Sequence, residues 1–324
     1  MNLPLDGFSY FRSDEPAETQ RKLSWLFCTH LFELHGDTAN VDARLNAVRL
    51  GRVLLLSARL GCEVRLCPGE TRPFYVIVIP LAGRGVFFLN GERAEVNPGV
   101  GVVVSPDVSL DVFLSADFAA IALRIEEGAI EHAVADRLGF LPPVPVRFDP
   151  LMNLTAGPVV DWCDSVLDCV ADLDDPASLL LASDDLLRRM DDSLVGTLLA
   201  AQPHNYSGFL GDRREPPASR RAVSFVLGLM HHDPRLSLAD YARRVGVSVE
   251  ALHEGFQRRF GIVASAFLRR VRLRRARAHL LLVAGEPAAS AREVFLHWKL
   301  PYDPGALAEY RQLYGESPED TLRG

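Results

Sequence analysis

The chain has 324 residues, 48% hydrophobic and 24% charged. That length fits two domains at ~150 residues each, and the balance excludes disordered, collagen-like and low-complexity chains. The net charge of −7 is divided unevenly: residues 219–324 carry 17 basic and 11 acidic residues (+6), against 18 and 31 (−13) in residues 1–218. A basic module for a polyanion attached to an acidic module with another task is the expected arrangement. No run of about 18 uncharged apolar residues occurs, which excludes a transmembrane helix. The opening stretch MNLPLDGFSYFRSDEPAETQRK lacks the basic and apolar regions of a secretory leader, so a cytoplasmic protein with no membrane partner is expected. Cys28, Cys62, Cys67, Cys163 and Cys169 are odd in number and form no CxxC pair, so they read as reduced, mostly buried thiols.

In chain order, strands come first. Val53 to Ile125 reads as short strands at Phe74–Pro80, Gly85–Leu89, Glu92–Val96, Gly101–Ser105 and Phe118–Ile125. Turns fall at Ala82–Gly85, Asn90-Gly91 and Asn97–Gly99. Asn90-Gly91 between apolar runs predicts a type I′ hairpin, because both central residues need positive φ. Many short strands at this spacing predict a small barrel or sandwich. Arg65, Tyr75, Phe87 and Arg124 lie in or beside these strands. An arginine with aromatics would suit an aromatic carboxylate, but alternation alone leaves them equally readable as outward surface residues.

From Pro158 to Ala201 the pattern becomes acidic and helical, with Val159, Val160, Cys163, Val166 and Leu167 at three- and four-residue spacing. Such a helical pair reads as a packing or dimerisation element. Gly211–Ala218, with tandem prolines, is the expected linker between a domain at 1–210 and one at 219–324.

Beyond the linker the chain reads helical: Ala222–His231, a second helix to Val245, a third from Ser248 to Phe260, then Ser265–Ala284, Ser290–Trp298 and Pro304–Tyr314. Ser237–Asp240 has the spacing of a capping box, Gly246 suits a positive-φ turn, and Ser248 suits an N-cap. Ser237–Phe260 thus meets the requirements of a helix-turn-helix, although an ordinary helical hairpin would meet them too. A similar unit follows at Ser290–Tyr314. The helix between them carries Arg269, Arg270, Arg272, Arg274, Arg275 and Arg277. Twenty helical residues span ~30 Å, close to the ~34 Å between successive major-groove faces. The arginine run therefore reads as a phosphate-contacting spacer.

At this point the chain resembles the AraC/XylS transcriptional regulators. The resemblance rests on Leu236–Ala242 (LSLADYA), Gly246–Ser248, Leu252, Phe256, Phe260-Gly261, Arg272-Leu273, Ala276, Leu280 and the closing run Tyr314–Arg323 (YGESPEDTLR). Phe27–His30, Ile79–Gly83, Asn97–Gly99 and His204–Ser207 are similar to the family's cupin-like sensor, in the branch that includes activators responding to aromatic carboxylates. The resemblance implies an α+β protein with an N-terminal cupin-like barrel and a C-terminal double helix-turn-helix domain. It also implies a homodimer that binds promoter DNA, a small effector and RNA polymerase. Base-reading positions would be Glu250, His253 and Glu254, with Gln257 toward the backbone, and Pro304, Gly305 and Ala306 in the second unit. The DNA-contacting set on this reading is Ser248, Glu250, His253, Glu254, Gln257, Arg258, Arg269, Arg270, Arg274, Lys299, Ala306 and Arg311.

The chain departs from the family pattern. Glu250 and Glu254 stand where basic or polar residues are usual, Phe295 where a small alanine is usual, and Lys299-Leu300 replaces a Gly-Phe turn. The alternative is a degenerate relative that lacks sequence-specific DNA binding and acts through protein partners. An enzyme is not expected. A metal-dependent cupin needs clustered histidines, and none occurs between His35 and His132. His253-Glu254 lacks the second histidine of a zinc-protease motif, since Gln257 stands there. No metal and no cofactor are expected.

Overall fold

The computed structural model describes residues 3–27, 31–35, 41–70, 74–138, 142–178, 180–207, 218–285 and 289–323. By internal contacts it divides into two compact units, residues 1–141 with 145–211, and residues 212–324 with 142–144. Of the expected linker, residues 211–217 lie outside the described residues, as do Cys28–His30.

The first unit is built on two antiparallel sheets. One is ordered β1 (Ser9–Ser13), β3 (Ala43–Arg49), β4 (Val53–Arg59), β11 (Ala119–Glu126), β6 (Phe74–Ala82), β9 (Val100–Val104), β12 (Leu151–Asn153). The other is ordered β2 (Leu31–His35), β5 (Glu63–Glu70), β10 (Ser109–Leu114), β7 (Gly85–Leu89), β8 (Glu92–Val96). Their facing sides form the core of a cupin-like barrel: Val76, Val78, Phe87, Leu110, Val112 and Ala120 pack in one cluster, Leu45, Leu54, Leu56 and Val64 in another. The Asn90-Gly91 hairpin forms as expected, with φ of 51° and 85° and Leu89 paired to Glu92. A Cβ at Gly83 (φ +72°) would lie 2.6 Å from the Phe118 amide nitrogen, so this turn tolerates only glycine. Strands β1 to β3 precede the expected start at Val53. Their short, mixed sequences carry no clean alternation.

β6 is buried along Phe74–Pro80, so the seven-stranded sheet is covered on both faces. Helices α1 (Pro16–Leu26), α2 (Glu127–Leu138), α3 (Pro158–Asp174) and α4 (Asp184–Ala201) flank the barrel. α3 and α4 are the helical pair expected over residues 158–201. Ser183 caps α4 by accepting from the Leu186 amide, and Trp162 on α3 donates its indole N–H to the Leu194 carbonyl of α4 at 3.0 Å. Asp191 of α4, its side chain 4% exposed, ties this layer to the sheet. It accepts from the Val53 amide at 2.8 Å and from Arg52 Nε at 3.2 Å.

The second unit is helical: α5 (Ala218–His232), α6 (Leu238–Val245), α7 (Val249–Phe260), α8 (Ala264–Leu282), α9 (Ala291–His297), α10 (Pro304–Tyr314) and α11 (Pro318–Arg323). The last lies beyond the helices read from the sequence. No described helix is long and apolar enough to cross a membrane.

Candidate functional site

In the second unit, α6 and α7 form a hairpin whose joint is set by local chemistry. Ser237 and Asp240 complete a capping box, Gly246 takes φ +70°, and Ser248 Oγ accepts from the Ala251 amide at 3.0 Å. The inner face of α7 is held by an aromatic cluster, Phe256 against Phe260 and Phe267 at 5.4 and 4.9 Å. Gly255 lets α5 approach, since a Cβ there would sit 2.6 Å from Val223 Cγ2. The outer face of α7 then presents Glu250, Glu254, Gln257 and Arg258, with His253 half-buried at its flank. Glu254 pairs with Arg258 at 3.7 Å, and Gln257 donates to the Gly261 carbonyl, closing the helix end. Hydrogen bonds from its own amide and from Ser248 hold the Glu250 carboxyl below the usual range, so this face carries a carboxylate at neutral pH.

The second hairpin, α9 and α10, uses different residues for the same joint. Asp303 caps α10 by accepting from the Ala306 amide at 2.9 Å. Phe295 is fully buried at the centre of the local core, 5.4 Å from Tyr302 and 5.8 Å from Tyr310. Lys299 occupies the turn at φ +57°, where glycine would be at ease. Lys299→Gly is therefore expected to stabilise the protein by about 0.5–1 kcal/mol, relief of the Cβ clash exceeding glycine's greater unfolded-state freedom. Denaturant titration checks this.

The structure corrects one expected contact. Ala306 is fully buried in that core and cannot meet a base. The exposed face of α10 is Pro304, Gly305, Ala308, Arg311 and Gln312. The phase of the helix could have shown this: with Ala306 and Tyr310 inward four residues apart, positions 308, 311 and 312 must face out.

The arginine helix α8 is a second correction. Arg272 donates to three carbonyls, Pro234 at 2.7 Å, Leu236 at 3.0 Å and Lys299 at 3.2 Å. Arg275 donates to the His231 carbonyl at the end of α5. Arg277 pairs with Glu316 and stacks over Tyr314, and Arg269 pairs with Glu309 at 3.4 Å. Arg270 and Arg274 are half-buried. The run is largely internal scaffolding rather than a free cationic stripe. Arg243, Arg244, Arg258, Arg292, Lys299 and Arg311 are exposed cations in the two hairpins.

In the first unit, a cavity of about 170 Å³ lies between the sheets. Its wall includes Leu56, Ala58, Val76, Val78, Phe87, Leu110, Val112, Phe118, Ala120 and Ala122, and every lining side chain among the described residues is aliphatic or aromatic. Of the four residues singled out as effector contacts, Phe87 lines this cavity. Arg124 shares the inward parity of Ala120 and Ala122 on β11 but is absent from the wall, and its guanidinium sits 4.3 Å from the Phe74 ring centroid.

The other two do not face the cavity. Tyr75 points to the opposite side of β6, where its hydroxyl donates to the Val146 carbonyl at 2.7 Å and its ring meets Phe148. Arg65 stands on the outer face of β5. It grips Asp111 through two nitrogens, at 3.0 and 2.8 Å, with Glu33 beside it. Arg65 holds the Asp111 carboxyl below its usual range. The stability from this pair is therefore full above the ordinary carboxylate pKa and lost as pH falls through the lowered one. Arg65→Gln is expected to lower the urea midpoint only slightly at neutral pH, because solvent screens this half-exposed pair. The deficit should disappear as pH falls through the lowered Asp111 pKa in a pH series of urea midpoints. Among the described residues no group of three His, Cys, Asp or Glu side chains is placed to hold a metal ion.

Comparison with known proteins places this geometry. The sequence profile described as the AraC-binding-like domain matches residues 20–199, more than half of the chain. The probable thc operon regulatory protein of Rhodococcus erythropolis is 28% identical over 327 residues, covering 98% of this chain and 96% of that protein. The XylDLEGF operon transcriptional activator of Pseudomonas putida is 23% identical over 289 residues, covering 86% of this chain and 84% of its own length. Among solved structures, the AraC-like transcriptional activator CuxR aligns with a TM-score of 0.44 and 16% identity, over 88% of this chain and 98% of that one.

Proposed function

Because the chain belongs to the AraC-binding-like domain family, we propose that it is an AraC/XylS-type transcriptional regulator whose helical unit binds promoter DNA and whose barrel binds a small effector. One observation carries the DNA-binding half of this reading. Two capped helices, α7 and α10, each follow a turn with a left-handed residue and present an exposed face over a packed aromatic core. They act as the recognition helices of two helix-turn-helix units that read adjacent major grooves. Domain boundaries near 210 and 219, a homodimer formed through the α3–α4 layer, contact with RNA polymerase and a cytoplasmic location complete the proposal. No covalent chemistry is part of it.

The make-up of the two faces shapes the binding. α7 brings two carboxylates that can accept from cytosine amino groups and repel phosphates. α10 brings backbone and small side chains, with Arg311 and Gln312 at its edge. Sequence discrimination therefore rests mainly on α7. These same features favour the second reading, a relative that has lost specific DNA binding and acts through protein partners.

Fluorescence anisotropy with the DNA upstream of the protein's own coding sequence, against scrambled DNA, at two salt concentrations, separates the two. At least tenfold preference for the upstream DNA (about 1.4 kcal/mol) with a steep salt dependence supports the regulator. Equal or absent binding supports the second reading.

A further inference from the structure

Resting on the effector reading above, we propose that the barrel cavity takes a small uncharged apolar molecule, about the size of a monosubstituted benzene, and rejects the matching carboxylate. Among the described residues, the side chains of the wall offer no hydrogen-bond donor and no charge. A carboxylate entering it would leave its hydration shell with nothing in exchange, which costs far more than the burial of its ring returns. The size fits as well: a cavity of about 150 Å³ lined by leucine, isoleucine and phenylalanine holds a benzene ring, and this one, which is partly open to the surface, measures about 170 Å³.

The described arginines nearest the wall are engaged elsewhere. Arg124, on the inward face of β11, lies over the Phe74 ring. Phe118 belongs both to the cavity wall and to a second depression, where Arg59 is joined by Asp42 and Asp117. Arg59 is paired with Asp42 there. Two carboxylates against one paired arginine make that depression repel an anion and leave a neutral molecule unopposed.

The test pairs toluene with benzoate, which share a ring and differ by the charge. The full-length protein is heated with each at the same concentration, and DNA anisotropy is recorded in parallel. Toluene in roughly tenfold excess over its Kd should raise Tm by about 2–5 °C, with no shift from benzoate. Ala122→Leu, which extends a wall side chain into the space, should abolish the toluene shift. Arg124→Met should leave it intact, which keeps the test decisive if the leucine variant fails to fold. A benzoate shift equal to or larger than that of toluene overturns the proposal, and so does the absence of any toluene shift. A toluene shift without any change in DNA binding upholds the ligand class and overturns the effector reading instead.

Discussion

Phe295→Ala should lower the stability of the protein by about 3–5 kcal/mol, the range for emptying a phenylalanine site in a packed core. Phe295 is fully buried against Tyr302 and Tyr310, in a cluster that also holds Leu273, Leu280 and Leu300. Here the flanking tyrosines are positioned for the phenyl ring. Urea unfolding followed by circular dichroism reads the loss, and DNA binding should fall with it. A cost under 1 kcal/mol would mean that the tyrosines close over the gap.

Arg272→Met is expected to cost about 2–4 kcal/mol, since one cation hydrogen-bonded to three carbonyls is removed while the aliphatic stem is kept. The effect on DNA should be larger than the effect on folding. Pro234 and Leu236 lie just before α6, and Lys299 lies in the α9–α10 turn, so this guanidinium fastens the two hairpins to one point of α8. Losing it should reduce affinity for the upstream DNA at least tenfold under conditions where the variant remains folded. Arg272→Lys should restore little, because a single ammonium cannot reproduce the fork that reaches three acceptors. Anisotropy at a temperature well below the variant's Tm checks this. Unchanged affinity in a folded Arg272→Met would show that the hairpins keep their spacing without it.

Much of the helical unit was legible because its joints are written in local residues. Ser237 with Asp240, Gly246, Ser248 and Pro304 each act within one turn of helix, so their spacing alone predicts α6, α7 and α10. The Asn90-Gly91 hairpin is legible for the same reason. Long-range partners were not. A run of arginines reads as a solvent or phosphate face until the carbonyls of residues 36–38 positions earlier are found beneath Arg272. Arg65 and Tyr75 occupy plausible strand positions, but their facing depends on register, and a shift of one residue reverses it. Phe295 looked like a departure because its tyrosine partners become neighbours only once α9 and α10 pack. The cavity's apolar character was equally hidden, since its wall gathers residues from Leu23 to Ala122.

Asp191 has a mechanical consequence. β4 supplies Leu56 and Ala58 to the cavity wall, and its first amide, that of Val53, is gripped by the Asp191 carboxylate on α4. The carboxylate is shielded from water, and its burial raises its pKa. Wall and helix are therefore pinned like two plates on one rivet. β4 cannot slide along its own axis without either dragging α4 or stripping a buried charge of its amide partner. Pressure on the inside of the barrel is felt outside it at Asp191, through its bonds to Val53 and Arg52.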